Sequence, residues 1–232
     1  MLIAIFSDIH GNQYAMREFQ KQLEIDSPDR IYFLGDIFGY YYGQHECLSI
    51  LRQFNNLYCV LGNHDDMFLQ SLHDMSLRNK LVMKYGQSYR NISKITDKDV
   101  EFLISLPYAI ETCIDGISLH FCHGSLEDTL NGRIYPDTFI KNKNLYNAYD
   151  YVFIGHTHHK MCMHISDTYI CNPGSLGQQR DGKGCSYILF DTISKKLLWK
   201  IVSYDINLLV KDINLYDKDK FNFIEVLYRK NS

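Results

Sequence analysis

The sequence predicts an α/β fold, a β-sandwich of mixed sheets flanked by helices. Three observations lead there. Short apolar runs alternate with amphipathic stretches through the first half of the chain. The second half is a succession of short strand-like runs broken by turn residues. Hydrophobic residues make up 46% of the chain and charged residues 22%, the balance of a chain that builds a core rather than one that stays disordered. The 232 residues fit one domain spanning 1–232, with 206–232 read as a helical extension.

From the N-terminus, residues 2–6 (LIAIF) read as a buried strand. A helix comes next over 13–24, where Tyr14, Ala15, Phe19 and Leu23 recur at near-helical spacing. Residues 30–34 (RIYFL) form a second strand, a helix lies near 44–54, and 57–61 (LYCVL) form a third strand. The stretch 65–105 reads as helical and irregular, and Thr96 and Asp99 are spaced as a capping box for its last helix. Two strand-like runs at 108–114 and 117–121 flank Asp115-Gly116, the signature of a hairpin. YVFI at 151–154 is another buried strand. Strands at 160–165, 168–172, 186–191 and 197–203 come after it, and 206–229 reads as helical.

Composition narrows the function. The net charge is −3 and no basic block occurs, so a surface built to neutralise nucleic-acid phosphates is disfavoured. No apolar run reaches the roughly 18 residues that a membrane-spanning helix needs. The first apolar run stops at Phe6, with no basic stretch before it and no small-residue cleavage site, so no signal peptide is expected and the predicted location is cytoplasmic. Seven cysteines, an odd count with no CxxC, argue against a disulfide framework or a structural zinc site and for buried free thiols.

The residues just past each apolar run are more telling. After LIAIF come Asp8 and His10; after RIYFL, Gly35-Asp36; after LYCVL, Gly62-Asn63-His64-Asp65; after ISLHF, Cys122-His123-Gly124; after YVFI, Gly155-His156-Thr157-His158. The C-terminal ends of strands form the ligand-binding edge of α/β sheets, and glycines beside them allow sharp turns. Each motif alone has a plain reading: a turn aspartate, a core histidine, a solvated loop. Together they bring seven ligand-type side chains to one edge if the strands are neighbours. The i, i+2 spacing of Asp8 with His10 and of His156 with His158 aims both members of each pair the same way if the strand continues. The donor set mixes nitrogen and oxygen without thiolate, which favours manganese, iron or a zinc-containing pair. Asp36 is central enough to bridge two ions.

At these residues the chain resembles the calcineurin-like metallophosphoesterase family over roughly residues 2–203. The resemblance implies a four-layer α/β/β/α sandwich with two mixed β-sheets and a dinuclear site. Asp8, His10, Asp36 and His158 would hold one metal ion, and Asp36, Asn63, His123 and His156 the other. It also implies that a bridging hydroxide attacks phosphorus and that His64 contacts the substrate and protonates the leaving group. The expected cofactors are two divalent metal ions, manganese first, with iron, zinc, cobalt or nickel as alternatives. Gly35–Tyr40, His123-Gly124-Ser125 and residues 172–182 are similar to the small bacterial phosphoesterases, some of which cleave diadenosine polyphosphates. The protein Ser/Thr phosphatases place a second Asp and an Arg soon after their GD, where this chain has Gly39 and Tyr40, so the residue that orients His64 is not visible in the sequence.

Arg180 follows a glycine- and serine-rich turn and is a candidate for phosphate contact, together with Asn63 and His64. Tyr40, Tyr41 and Tyr42 are candidates for stacking a base, and residues 66–105 and 124–148 have the lengths of lids. The expected activity is hydrolysis of a phosphomonoester, phosphodiester or phosphoanhydride, on a small phosphorylated substrate such as a nucleotide or dinucleoside polyphosphate. The rivals are a non-catalytic scaffold, as in a retromer subunit that resembles this family, and a nuclease. The sequence leaves a homo-oligomer open.

Overall fold

The computed structural model describes residues 1–90 and 92–229. Two five-stranded mixed sheets pack face to face, with helices outside. The first sheet has the order β10-β9-β1-β2-β3, built from β1 (Leu2–Phe6), β2 (Arg30–Phe33), β3 (Leu57–Cys59), β9 (Ser186–Asp191) and β10 (Lys196–Ile201). The second has the order β4-β5-β6-β8-β7, built from β4 (Ala109–Ile114), β5 (Ile117–Cys122), β6 (Tyr151–Phe153), β7 (Lys160–Ile165) and β8 (Thr168–Pro173). Within the first sheet β1, β2 and β3 run parallel, and within the second β5, β6 and β8 do. The C-terminal ends of each trio therefore lie on a common edge of their sheet.

Strand period explains why the apolar runs are continuous. Ile3 and Ile5 of β1 point between the sheets, where they meet Leu119, Phe121, Tyr151 and Phe153. Ala4 and Phe6 point the other way, into a core shared with Met16 and Phe19 of α1 (Gln13–Asp26) and Leu48 and Leu51 of α2 (Gln44–Leu51). A parallel strand covered on both faces has no polar face to alternate with. Between the sheets the Tyr32 and Phe121 rings stack at 3.9 Å and 7°, across the plane where the two sheets meet. Truncating Phe121 there would cost about 3–5 kcal/mol.

The stretch after β3 resolves into α3 (Asn63–Ser71), α4 (Met75–Tyr85) and α5 (Asp97–Ile104). The Thr96–Asp99 capping box forms as expected. The Asp115-Gly116 hairpin also forms, with both residues at positive φ, 51° and 78°. The outer layer on the second sheet is thin: Tyr146 of a 3-10 helix over Lys143–Ala148 and loop residues Ile134 and Ile140 cover it. The C-terminal stretch is two helices rather than one, α6 (Ile206–Tyr216) and α7 (Phe221–Leu227). The break falls at Asp217, whose carboxylate is taken by Tyr42 Oη and the Gln87 amide. Five of the seven free cysteines are buried as expected, but Cys113 and Cys162 are exposed, because they occupy outward-facing strand positions.

Candidate metal centre

The expected strand continuation past Phe6 and Phe153 does not occur, and the convergence of the paired residues has another origin. Asp8, His10, Asp36, His156 and His158 all adopt left-handed backbone, with φ between 49° and 68°. Aspartate and histidine tolerate this region better than most residues, yet such positions persist only where the surroundings enforce them. Here they do. The Asp8 amide donates to Gly35 O at 2.9 Å and the His10 amide to Asp36 O at 3.0 Å. Ser175 Oγ and the Gly177 amide both donate to Asp8 O. The loops touch so closely that a Cβ on Gly35 would lie 2.4 Å from the Gly62 nitrogen. Glycine is required there by contact.

Asp65 ties this edge together. It is fully buried and accepts from the Asp36, Ile37 and Phe38 amides at 2.8, 2.8 and 3.0 Å. Burial, with the nearby Asp36 charge, lifts its carboxyl to about 7 against the pull of those amides. Next to it, His64 lies in the first turn of α3, and its amide donates to Asp36 Oδ1 at 2.8 Å.

All seven candidate ligands meet in one buried cluster. His10 Nε2 and His158 Nε2 lie 3.0 Å apart, and His158 Nε2 lies 3.1 Å from Asp8 Oδ1. On the other side, His123 Nε2 lies 3.0 Å from Asn63 Oδ1, 3.2 Å from His156 Nδ1 and 3.3 Å from Asp36 Oδ2. Asp36 Oδ2 is also 3.7 Å from His10 Nε2, so one carboxylate oxygen faces both groups. Three sets emerge as able to hold an ion: Asp8, His10 and His158; Asp36, His123 and His156; and His10, Asp36 and His64.

The donor chemistry fits divalent metal ions. His10, His123 and His158 each place Nδ1 within 2.5–2.7 Å of a backbone carbonyl, of Phe38, Leu34 and Gln178 respectively. A carbonyl only accepts, so each Nδ1 carries a proton and each Nε2 can turn a lone pair into the cluster. The His10 and His158 lone pairs, facing each other at 3.0 Å, need a cation between them. Asp8 Oδ1 and Asp36 Oδ2 are buried with no hydrogen bond. Metal–ligand bonds of about 2.0–2.2 Å set neighbouring donors about 3.0–3.5 Å apart, which is the spacing seen.

The protonation pattern agrees. Burial pushes the imidazoles of His158 and His156 down to about 3 and 4, and holds His64 well below its ordinary value. For Asp8 and Asp36, burial works upward but the surrounding imidazoles outweigh it and hold both carboxyls below the usual range. His123 is the exception. Burial lowers it, but Asp36 and Asp8 lift it to about 9, so it holds a second proton that a cation would displace.

Above the cluster lies a polar cavity lined by Asp36, Asn63, His64, His156, His158 and Arg180. Arg180 thus reaches the site, held by Nη2 bonds to Tyr40 Oη at 3.0 Å and Gln178 Oε1 at 2.9 Å. Of the three tyrosines in sequence, Tyr40 alone lines this cavity. Tyr41 is buried against Phe223, and Tyr42 bonds Asp217 at 2.8 Å, because α6 and α7 cover that side of the loop. Sequence reasoning missed Arg133, Tyr85 and Tyr135 at the cavity, and Tyr89, whose hydroxyl lies 2.7 Å from His64 Nδ1. No spacing or flanking pattern marks any of them; each arrives through a loop or helix whose path only the fold defines.

Similarity to known proteins places the chain. An uncharacterized protein of Methanocaldococcus jannaschii is 30% identical over 228 residues, covering 88% of each chain. A hypothetical protein from Pyrococcus horikoshii shares the fold with a TM-score of 0.80 at 21% identity, covering 99% of each chain. A metallophosphoesterase from Sphaerobacter thermophilus superposes with a TM-score of 0.76 at 25% identity, covering 97% of this chain and 99% of its own. The family model for the calcineurin-like phosphoesterase superfamily domain matches residues 1–195, which hold every residue of the cluster, and the chain belongs to that superfamily.

Proposed function

We propose that this chain hydrolyses phosphate ester or anhydride bonds of a small phosphorylated substrate with the help of two divalent ions. The observation that carries the reading is the pair of orphaned carboxylate oxygens, Asp8 Oδ1 and Asp36 Oδ2, each facing imidazole nitrogens beneath a polar cavity. In this reading Asp8, His10, Asp36 and His158 hold one ion, and Asp36, Asn63, His123 and His156 the other. When bound, such a pair polarises the phosphoryl group and makes water a competent nucleophile near neutral pH. Manganese is the first choice for a set of nitrogen and oxygen donors.

The chain's own groups do the rest. Arg180 binds phosphoryl oxygens with the guanidinium edge that Tyr40 and Gln178 leave open. Asn63 and His64 face the same oxygens from the first turn of α3. His64 Nδ1–H donates to Tyr89 Oη, and the Tyr89 hydroxyl donates to the His64 carbonyl, 3.3 Å away. That arrangement turns a bare Nε2 toward the cavity; the ring is neutral there, so the proton it would pass to the departing oxygen is one taken up on Nε2 from solvent once an anionic phosphate faces it and favours the imidazolium. Seven free cysteines suit a reducing compartment, and the cytoplasm is the location we propose. Among the described residues, no helix is long and apolar enough to cross a membrane.

The test is a screen of the purified protein with Mn²⁺ over phosphomonoesters, phosphodiesters and dinucleoside polyphosphates. Turnover that disappears in Asp36→Asn supports the reading. A fully loaded protein inert on all three classes overturns it.

A further inference from the structure

We infer that the site selects a phosphate carrying three unesterified oxygens, a phosphomonoester or the terminal phosphate of a polyphosphate, over a phosphodiester, and that Arg133 is the selecting residue. This rests on the hydrolase reading above and names its substrate class.

Arg133 lies on the loop between β5 and β6, and its Nε donates to His156 Nε2 at 2.9 Å. That bond brings the guanidinium to the cavity, and among the described residues its terminal nitrogens have no hydrogen-bond partner. With an ion held at His156 Nδ1, the ring proton would sit on Nε2, which would leave Arg133 Nε free as well. Arg133 lines the same cavity as Arg180, with Asn63 and His64 among the lining residues. Arg180 spends Nη2 on Tyr40 and Gln178, which leaves Nε and Nη1. Two guanidiniums, reaching the cavity from different loops, thus offer unspent donors to one space of about 440 Å³ that includes its open mouth. The lining carboxylate, Asp36, is turned into the metal cluster through Oδ2 and bonded to the His64 amide through Oδ1.

Oxygen counting then decides between substrates. A guanidinium satisfies itself best on anionic oxygens. A diester has two unesterified oxygens and one negative charge. Those two are the oxygens that would face the metal cluster, which leaves the arginines to share them and no third anionic oxygen to take up. A monoester or terminal phosphate has three such oxygens and a charge of about −1.5 to −2 at neutral pH, enough for both. Tyr40, Tyr85 and Tyr135 stand at the cavity and narrow the room for a second ester arm.

A rival explanation is that Arg133 only holds His156 in place. Arg133→Gln separates the two, since the amide can still donate to His156 Nε2 or accept from it but carries no charge. The experiment compares kcat/KM for p-nitrophenyl phosphate and bis(p-nitrophenyl) phosphate in the Mn²⁺-loaded protein, and measures inorganic phosphate binding by calorimetry. The wild type should prefer the monoester. Arg133→Gln should lose about tenfold or more on the monoester and in phosphate affinity, and much less on the diester, with metal content and Tm unchanged. A wild type that prefers the diester, or equal losses on both esters, overturns the inference and leaves the hydrolase reading intact. No turnover of either ester, nor of a dinucleoside polyphosphate, would overturn the hydrolase reading; phosphate binding that still depends on Arg133 would then uphold the anion selectivity alone.

Discussion

The Tyr89 hydroxyl holds His64 from the side away from the metal cluster, 2.7 Å from Nδ1. It reaches there because the 3-10 turn Gln87–Tyr89 carries its ring to the first turn of α3, and because Gly39 leaves room: a Cβ at Gly39 would lie 2.5 Å from His64 Nδ1. In the proposed mechanism a phenol would thus take the orienting role that the resemblance assigns to an aspartate in the protein Ser/Thr phosphatases.

If His64 supplies the proton to the leaving oxygen, His64→Ala should lower kcat on alkyl phosphate esters by about 10²–10⁴-fold. A nitrophenyl ester, whose anion leaves unaided, should lose far less. Both metal ions should remain. Equal losses on the two leaving groups would show that His64 binds phosphate and moves no proton.

Tyr89→Phe should act in the same direction and more weakly. Removing one hydrogen bond of about 0.5–1.5 kcal/mol from the ring corresponds to a roughly two- to thirteenfold loss. That loss should fall on alkyl esters more than on nitrophenyl esters. A uniform loss on both would assign Tyr89 to packing alone.

Metal stoichiometry is a separate prediction. Elemental analysis after Mn²⁺ loading should find two ions per chain. Asp8→Asn should drop the count to one, and Asp36→Asn should disturb both sites, because Asp36 Oδ2 faces His10 at 3.7 Å and His123 at 3.3 Å. Loading should also raise Tm, since the ion binds the folded chain. One ion per chain in the saturated wild type would contradict the shared-carboxylate geometry.

Arg180→Ala should raise KM or lower kcat while Tm changes little, because the side chain is only half-buried and its partners Tyr40 and Gln178 keep other contacts. Unchanged kinetics on the best substrate would remove it from the site.

Away from the site, Thr96 and Asp99 give a pH-dependent stability prediction. Burial pushes the Asp99 carboxyl up, but the Thr96 donors and the Arg52 guanidinium, 2.6 Å away, outweigh it and hold it below the ordinary value. A depressed folded value means that the stabilisation is complete above about pH 4 and fades as pH falls below it. Thr96→Ala should cost about 1 kcal/mol at neutral pH, measured by urea denaturation. Asp99→Asn should narrow its gap to the wild type as the solution is acidified through that range.

Much of this was legible in the sequence, for physical reasons. Strands β1, β2, β5, β6 and β9 announced themselves because each is short, apolar and covered on both sides. Asp8, Asp36, His123 and the others stood out because polar residues at the ends of such runs need partners. What the sequence hid was how they converge. The i, i+2 spacing of Asp8 with His10 suggested a continuing strand, and the backbone instead turns left-handed under contacts from distant loops. Tyr89, Arg133 and the tie made by Asp65 were hidden for a related reason. Their partners lie 23 to 29 residues away, for instance His156 for Arg133 and Asp36 for Asp65, and no local period links such positions.

At Asp8, His10, Asp36, His156 and His158 the backbone angles are those that glycine adopts without penalty. A lineage released from catalysis would gain up to about 1 kcal/mol at each by substituting glycine, so decay there would be favoured rather than merely tolerated. A related chain that keeps this fold but shows glycine at several of them is expected to be more heat-resistant than this one and to bind no metal at that edge. In this chain all five still carry the side chains that hold the backbone at that cost.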